Sequence, residues 1–290
     1  MFIDALLSGL TLGGMYALIA MGLTLQYGVS RIMNLAYGEF VIGASFVAYV
    51  LFVSIGMNPL FLLVIIAPVA FAISWVIYRI LLTPLVNRAR TPEALEIDSI
   101  LSTFGLLFIL QGIMLAFFGG NYTSYSFLNV PVNMLGTIIA ANKLIVLGFA
   151  IVIGTGFYLF LLKTRTGTAM RAVAVDPVAA GLVAIDVRWA ATLAFALGGT
   201  LAATGGVLVS MFLTFNANIG VVFTMKALIV VIMGGAGNVL GAMIAGLLLG
   251  LAESFVATYV DPGLTIATTY AIFLLILLLK PQGLFGRAAS

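Results

Sequence analysis

Glu39 is the acid set deepest in an apolar run, in the stretch Asn34, Leu35, Ala36, Tyr37, Gly38, Glu39. A charge at the centre of a membrane helix costs about 2.5–3.5 kcal/mol on insertion scales, so such a residue has a partner or a task. Arg31 stands close enough along the chain to be the partner. The competing task is to line a polar pathway together with Asn34, Tyr37 and Gly38. That chemistry is the holding and passing of a solute. Bond-making chemistry finds no machinery, because the chain has no His and no Cys; catalytic residues, thiolate metal sites and the commonest general base are all missing. No G-x-x-x-x-G-K-[ST] loop occurs, so nucleotide is not bound in the P-loop manner. Gly235 and Gly237 imitate a dinucleotide fingerprint, but Leu240 stands where its last glycine belongs. An enzyme is not expected. Lys226 and Glu253 are placed near a membrane boundary, where snorkelling would serve each of them.

A second set of informative residues lies in 163–188, KTRTGTAMRAVAVDPVAAGLVAIDVR. Lys163, Arg165, Arg171, Asp176, Asp186 and Arg188 are charged, whereas 144–162 and 189–225 carry no charge. Such an island cannot lie in hydrocarbon and is too short to fold as a domain. Residues 167–175 suit a short helix; Asp176 then offers an N-cap and Pro177 the favoured first helical position. Val178, Leu182 and Ile185 follow at helical spacing and give one apolar edge. The segment therefore suits docking on a separate soluble partner, with Arg171, Asp176, Pro177 and Leu182 as the candidate coupling residues. An interfacial helix without a partner is the competing reading of the same pattern. Two glycine clusters, 28–43 and 234–241, interrupt helical periodicity. Irregular backbone at membrane depth survives where it is buried in protein or lines a wet cavity. Gly234, Gly235 and Gly237 are accordingly candidates for a gate or for the turn that shapes it.

The elements that must position these residues are membrane helices. The 290 residues are 63% hydrophobic and 7% charged, far below the charge that a soluble surface requires. With roughly 20 apolar residues per crossing, the length allows about eight to nine spans and no separate extramembrane domain. Hydropathy places them at 5–27, 34–55, 60–82, 99–118, 143–162, 189–213, 219–234, 239–257 and 262–280, with 219–234 open between a full crossing and a re-entrant segment. Asp4 precedes a run long enough to span, so the first helix reads as retained and not as a cleaved signal. An N-out, C-in orientation puts Arg31, Arg79, Arg88, Arg90, Lys163, Arg165, Arg171, Arg188, Lys280 and Arg287 inside; Lys143 and Lys226 are the exceptions among the 12 basic residues. The expected fold is all-α: one polytopic transmembrane bundle over 1–290, with a cytoplasmic segment at 163–188 and an extracytoplasmic loop at 119–142.

These motifs together resemble the membrane permeases of branched-chain amino-acid ABC importers. The likeness runs through GLTLGGMYALIAMGLTLQYGVSRIMNLAYGEF (9–40), ILSTFGLLFILQGIMLAFFG (100–119) and Arg165, Gly167, Ala169, Arg171, Ala172, Asp176, Pro177, Leu182 and Ile185. It continues through KALIVVIMGGAGNVLGAMIAGLLLGLAES (226–254) and KPQGLFGR (280–287). The resemblance implies an inner-membrane subunit that moves branched-chain or related hydrophobic amino acids inward by alternating access. It implies a second homologous permease, a periplasmic binding protein, and two cytoplasmic ATPases that hold ATP and Mg, so that this chain itself needs no cofactor and binds no nucleic acid. Residues 163–188 would be the coupling helix. Relatives in this family carry urea, short amides or aromatic acids, and these stay open as substrates, as do a homodimer and a heterodimer; an independent facilitator or secondary transporter is the remaining rival. The family usually has His where this chain has Tyr37, which keeps a hydrogen-bonding group and does not titrate near neutral pH.

Overall fold

In hydrocarbon every backbone amide must be satisfied within the protein, and long apolar runs without alternation do so as helices. The structure, a computed structural model, describes residues 1–89, 91–134 and 137–286. Arg90 and Arg287, both counted in the orientation argument, lie outside that range. The helices are α1 (Phe2–Ser30), α2 (Tyr37–Ile55), α3 (Pro59–Ile77), α4 (Thr83–Arg88), α5 (Pro92–Phe118), α6 (Ala141–Lys163), α7 (Arg165–Val175), α8 (Pro177–Leu182), α9 (Val187–Ser210), α10 (Gly220–Gly234), α11 (Val239–Tyr259) and α12 (Thr265–Leu279). A π-helical turn, Tyr78–Leu82, joins α3 to α4. The exception to the all-α expectation is a small hairpin, β1 (Pro131–Met134) against β2 (Thr137–Ala140), antiparallel with Pro131 opposite Ala140.

Helix starts follow from side-chain chemistry. Asn58, Thr91, Thr164, Asp176, Asp186 and Asn238 each accept a first-turn N–H through a side-chain oxygen, which removes one of the orphan donors of each helix.

Helices α1 and α9 form the buried centre, and α11 lies along α1. The pair α1 and α11 is antiparallel: Ser254 Oγ donates to Ala5 O at 2.7 Å near one end, and Gly28 lies against Gly237 near the other. Between these points the backbones touch through small residues. A Cβ on Gly250 would run into the backbone of Gly13, and one on Gly246 into that of Ala17. Gly250→Val should therefore cost about 1–3 kcal/mol by overpacking, seen as a lower unfolding midpoint in detergent; an unchanged midpoint would show that the seam is slack.

Among the described residues eight helical stretches are long and apolar enough to cross a membrane, and α10 is shorter. Several expected spans have different limits: the fourth begins at Pro92 and not at 99, and the third runs on to Arg88. The second begins at Tyr37, because Arg31 takes a left-handed conformation (φ 55°) that ends α1 and residues 32–36 are not helical until the turn into α2. The sixth ends at Ser210. The segment at 219–234 is neither a full helical span nor a hairpin back to its own side. Asn142 Nδ2 donates to Met211 O at 3.0 Å, which ties the start of this segment to the 119–142 end of the bundle. Gly234 and Gly235 lie against Gly241, Phe285 and Gly286 at the opposite end. Residues 211–219 in irregular conformation and α10 together carry the chain across once. The N-terminus and the last described residues consequently lie at opposite ends. The second of these ends also carries Arg31, Lys163, Arg165, Arg171, Arg188 and Lys280.

Candidate functional site

The predicted pathway residues lie inside the helix bundle, where the irregular segment 31–36 and the first turn of α2 pack on the first turns of α10, Leu35 with Thr224 and Gly38 with Gly220. Asn34 is fully buried. Its Nδ2 donates to Gln26 Oε1 at 3.2 Å and its Oδ1 accepts from Ala36 N at 3.1 Å. Gln26 in turn donates to Phe195 O on α9 at 2.8 Å. The non-helical link between α1 and α2 is thereby satisfied from both sides, as buried backbone requires.

Tyr37 is also fully buried. Its hydroxyl lies 2.8 Å from Ile19 O and 3.0 Å from Gly198 O, so its one proton is shared between carbonyls of α1 and α9. The aromatic ring fills the space beside Gly22, where a Cβ would strike that hydroxyl. Gly38 is required by close approach, because a Cβ there would collide with Gly220 O. Its N–H donates to Thr224 Oγ1 at 2.8 Å. Thr224 lies 3.2 Å from Leu35 O, while Leu35 N donates to Thr103 Oγ1 at 3.1 Å and Thr103 Oγ1 lies 3.0 Å from Met33 O.

Glu39 differs from its neighbours. It is 2% exposed, and neither carboxylate oxygen has a hydrogen-bond partner among the described residues. The expected pairing with Arg31 does not form. Arg31 is exposed at the end of α1 and its guanidinium reaches Ala174 O on α7 at 3.5 Å, because the left-handed turn at Arg31 sends its side chain away from α2. The Glu39 carboxylate instead occupies the space that a side chain on Gly220 would fill.

Lys226 and Glu253 also depart from expectation. They do not snorkel separately to a boundary; they pair inside the bundle with Lys226 Nζ 2.9 Å from Glu253 Oε2. Tyr16 completes the group: its hydroxyl lies 2.7 Å from Lys226 Nζ and donates to Glu253 Oε2 at 2.8 Å. Thr269 donates to the other carboxylate oxygen. Four helices, α1, α10, α11 and α12, are joined at this point.

The coupling candidates form a second site at the basic end. Asp176 breaks the helix between α7 and α8, and its Oδ1 accepts from Val178 N at 2.9 Å and Ala179 N at 3.0 Å. Pro177 opens α8 as its first residue. Met170, Val173 and Ala180 turn inward onto Leu25, Val29 and Leu161. Leu182 and Val178 turn outward, 85% and 75% exposed, with Val175 and Val183 beside them. Ile185 does not belong to that edge. The chain turns at Ala184 (φ 62°) after α8 has ended, and Ile185 packs back onto the body. Arg171 lies on the exposed side near Leu162 O, at 3.4 Å, and borders a cavity of about 760 Å³ whose lining includes Gly28, Gly237, Asn238 and Phe285.

Of the gate or turn candidates, Gly237 lines that cavity, and Gly234 and Gly235 precede it in the chain. Gly235 (φ 100°) and Gly237 (φ 82°) hold backbone that side chains rarely adopt, and a Cβ on Gly234 would meet the backbone of Gly241. They form a turn between α10 and α11, closed by Leu284 N donating to Met233 O at 2.7 Å and Asn238 Nδ2 donating to Phe285 O at 3.0 Å. The three groups of candidates stay separate, and each touches α1, whose end meets both α7 and the glycine turn. Gln26, Thr103 and Thr224, which the sequence reading passed over, are integral to the first group; each is a polar residue inside an apolar run.

The family described as "Branched-chain amino acid transport system / permease component" matches residues 5–280. The high-affinity branched-chain amino acid transport system permease protein LivH of Salmonella typhimurium is 31% identical, across 99% of this chain and 96% of its own. BraD of Pseudomonas aeruginosa, of the same description, is 30% identical with the same coverage. A probable LivH of Methanocaldococcus jannaschii is 27% identical over 93% of this chain and 88% of its own. Among solved structures, a chain of PsaBC from Streptococcus pneumoniae in complex with Fab superposes with a TM-score of 0.51 at 13% identity, covering 98% of this chain and 93% of that one, a likeness of fold alone. With its multi-helix membrane fold and this match along nearly its whole length, the chain belongs to the family of branched-chain amino acid transport permease components.

Proposed function

We propose that this chain is the permease subunit of an ABC importer in the bacterial inner membrane, moving branched-chain or related hydrophobic amino acids inward by alternating access. The observation that carries the reading is the elbow of α7 and α8. It is capped by Asp176, seated on α1 and α6 through buried residues, and presents Leu182 and Val178 to whatever lies beyond that end of the bundle. A rigid elbow of this kind transmits a rigid-body displacement into packed helices. The names of the relatives support the substrate class.

On this reading two ATPases dock at the elbow and hold ATP and Mg, a homologous permease completes the pathway, and a periplasmic binding protein meets the 119–142 end. The basic residues gathered at the elbow end support the N-out, C-in orientation. Asn34, Tyr37, Gly38 and Glu39 shape the pathway where 31–36 and α2 pack on the first turns of α10, and Gly234, Gly235 and Gly237 form the turn at its inner end. The test is uptake into proteoliposomes containing the assembled importer, with radiolabelled leucine beside urea. ATP-dependent accumulation of leucine is the expected result. Uptake of urea alone would leave the architecture and remove the substrate, and passage of leucine through this chain alone without ATP would overturn the importer reading.

A further inference from the structure

Resting on the amino-acid importer reading above, we propose that the Glu39 carboxylate is the counter-charge for the ammonium group of the transported amino acid, in an occluded site between the first turns of α2 and α10. Glu39 is the third residue of α2 and packs on Gly220, the first residue of α10. α10 begins without a side-chain cap, at Ile219, whereas Thr224 Oγ1 accepts from Gly38 N in the first turn of α2. Helix N-termini favour an anion. They do not supply it with a cation.

The basic residue closest to Glu39 along the chain, Arg31, and the one on α10, Lys226, are engaged elsewhere. Arg31 reaches toward α7, and Lys226 is bound by Glu253 and Tyr16. The polar groups nearest along the chain are likewise committed: Gly38 N donates to Thr224 and Glu39 N to Ala36 O. A buried carboxylate with two unpartnered oxygens is costly unless a ligand completes it. An amino acid brings the complement, an ammonium for Glu39 and a carboxylate for the uncapped first turn of α10. Urea, amides and aromatic acids lacking an amine bring no cation, so the site selects the amino-acid class. An exposure of 2% is that of a closed site.

The test uses the assembled importer in proteoliposomes, with leucine-loaded binding protein, and compares wild type, Glu39→Gln and Glu39→Asp. Glu39→Gln keeps shape and removes charge; it is expected to lower leucine uptake by roughly 30-fold or more while ATP hydrolysis stimulated by loaded binding protein continues. Glu39→Asp keeps the charge and is expected to retain much of the uptake. Wild-type uptake by Glu39→Gln would overturn the assignment, as would equal loss of uptake and of stimulated hydrolysis in both variants, which would mark Glu39 as packing. If wild type itself moves urea or an aromatic acid and no leucine, the amino-acid reading falls and this proposal falls with it.

Discussion

Lys226→Met alone should destabilise the protein by about 3–5 kcal/mol, whereas Lys226→Met combined with Glu253→Leu should fall within about 1 kcal/mol of wild type. The physical reason is asymmetry. The pair is enclosed, with the lysine side chain 16% and the glutamate side chain 4% exposed, so both ions have surrendered most of their hydration. Each is compensated by the other and by Tyr16, whose ring also lies under the ammonium at 4.7 Å from its centroid. Removal of the lysine leaves a carboxylate served by two hydroxyls in a low-dielectric interior. Removal of both charges leaves an apolar contact between α10 and α11 that needs no compensation. The measurement is the unfolding midpoint of the purified protein in detergent for both single variants and the double. Additive effects, with the double variant worse than either single, would refute the buried-pair account and restore the view of two independent interfacial charges.

The second large effect concerns the elbow. Leu182→Asp should lower ATP-driven uptake by roughly 100-fold, with little change in the folding of this chain. Leu182 projects from α8 and is 85% exposed, and substitutions at such positions usually change stability by less than about 0.5 kcal/mol. On the proposed coupling role it is an apolar anchor, and loss of a central anchor at an interface costs about 2–4 kcal/mol, which corresponds to a factor of roughly 30 to 1,000. Asp176→Ala should be milder, because it removes one cap worth about 1 kcal/mol while leaving the anchor in place. Both variants can be followed by co-purification of the ATPases and by uptake. An importer that keeps its ATPases and its transport with Asp at position 182 would show that α8 is an interfacial helix without a partner.

Several features of this molecule are written locally. The break at Asp176 and Pro177 needs a cap and a residue with a preset φ, and both are adjacent in the chain. Positive φ at Gly235 and Gly237 follows from the one residue type that adopts it freely. Apolar runs of spanning length define the helices to within a few residues. The misjudged features share a different property. The link before the second span and the end of the sixth are fixed by distant residues, through Leu35 to Thr103 and Asn142 to Met211. Ile185 has helical spacing from Leu182, but Ala184 has already turned the chain.

The amino-acid sequence by itself determined the all-α membrane class, the elbow with its cap, and the glycine turn, since each rests on interactions within a few residues or on transfer from water to lipid. Only the tertiary structure decided which polar groups find one another. Tyr37 spans carbonyls of Ile19 and Gly198, Thr224 serves Gly38, Lys226 takes Glu253 as its ion partner, and Glu39 is left with none. These pairings join helices far apart in the chain, and hydropathy is blind to them because it records the cost of burying a polar group and not the neighbour that offsets it.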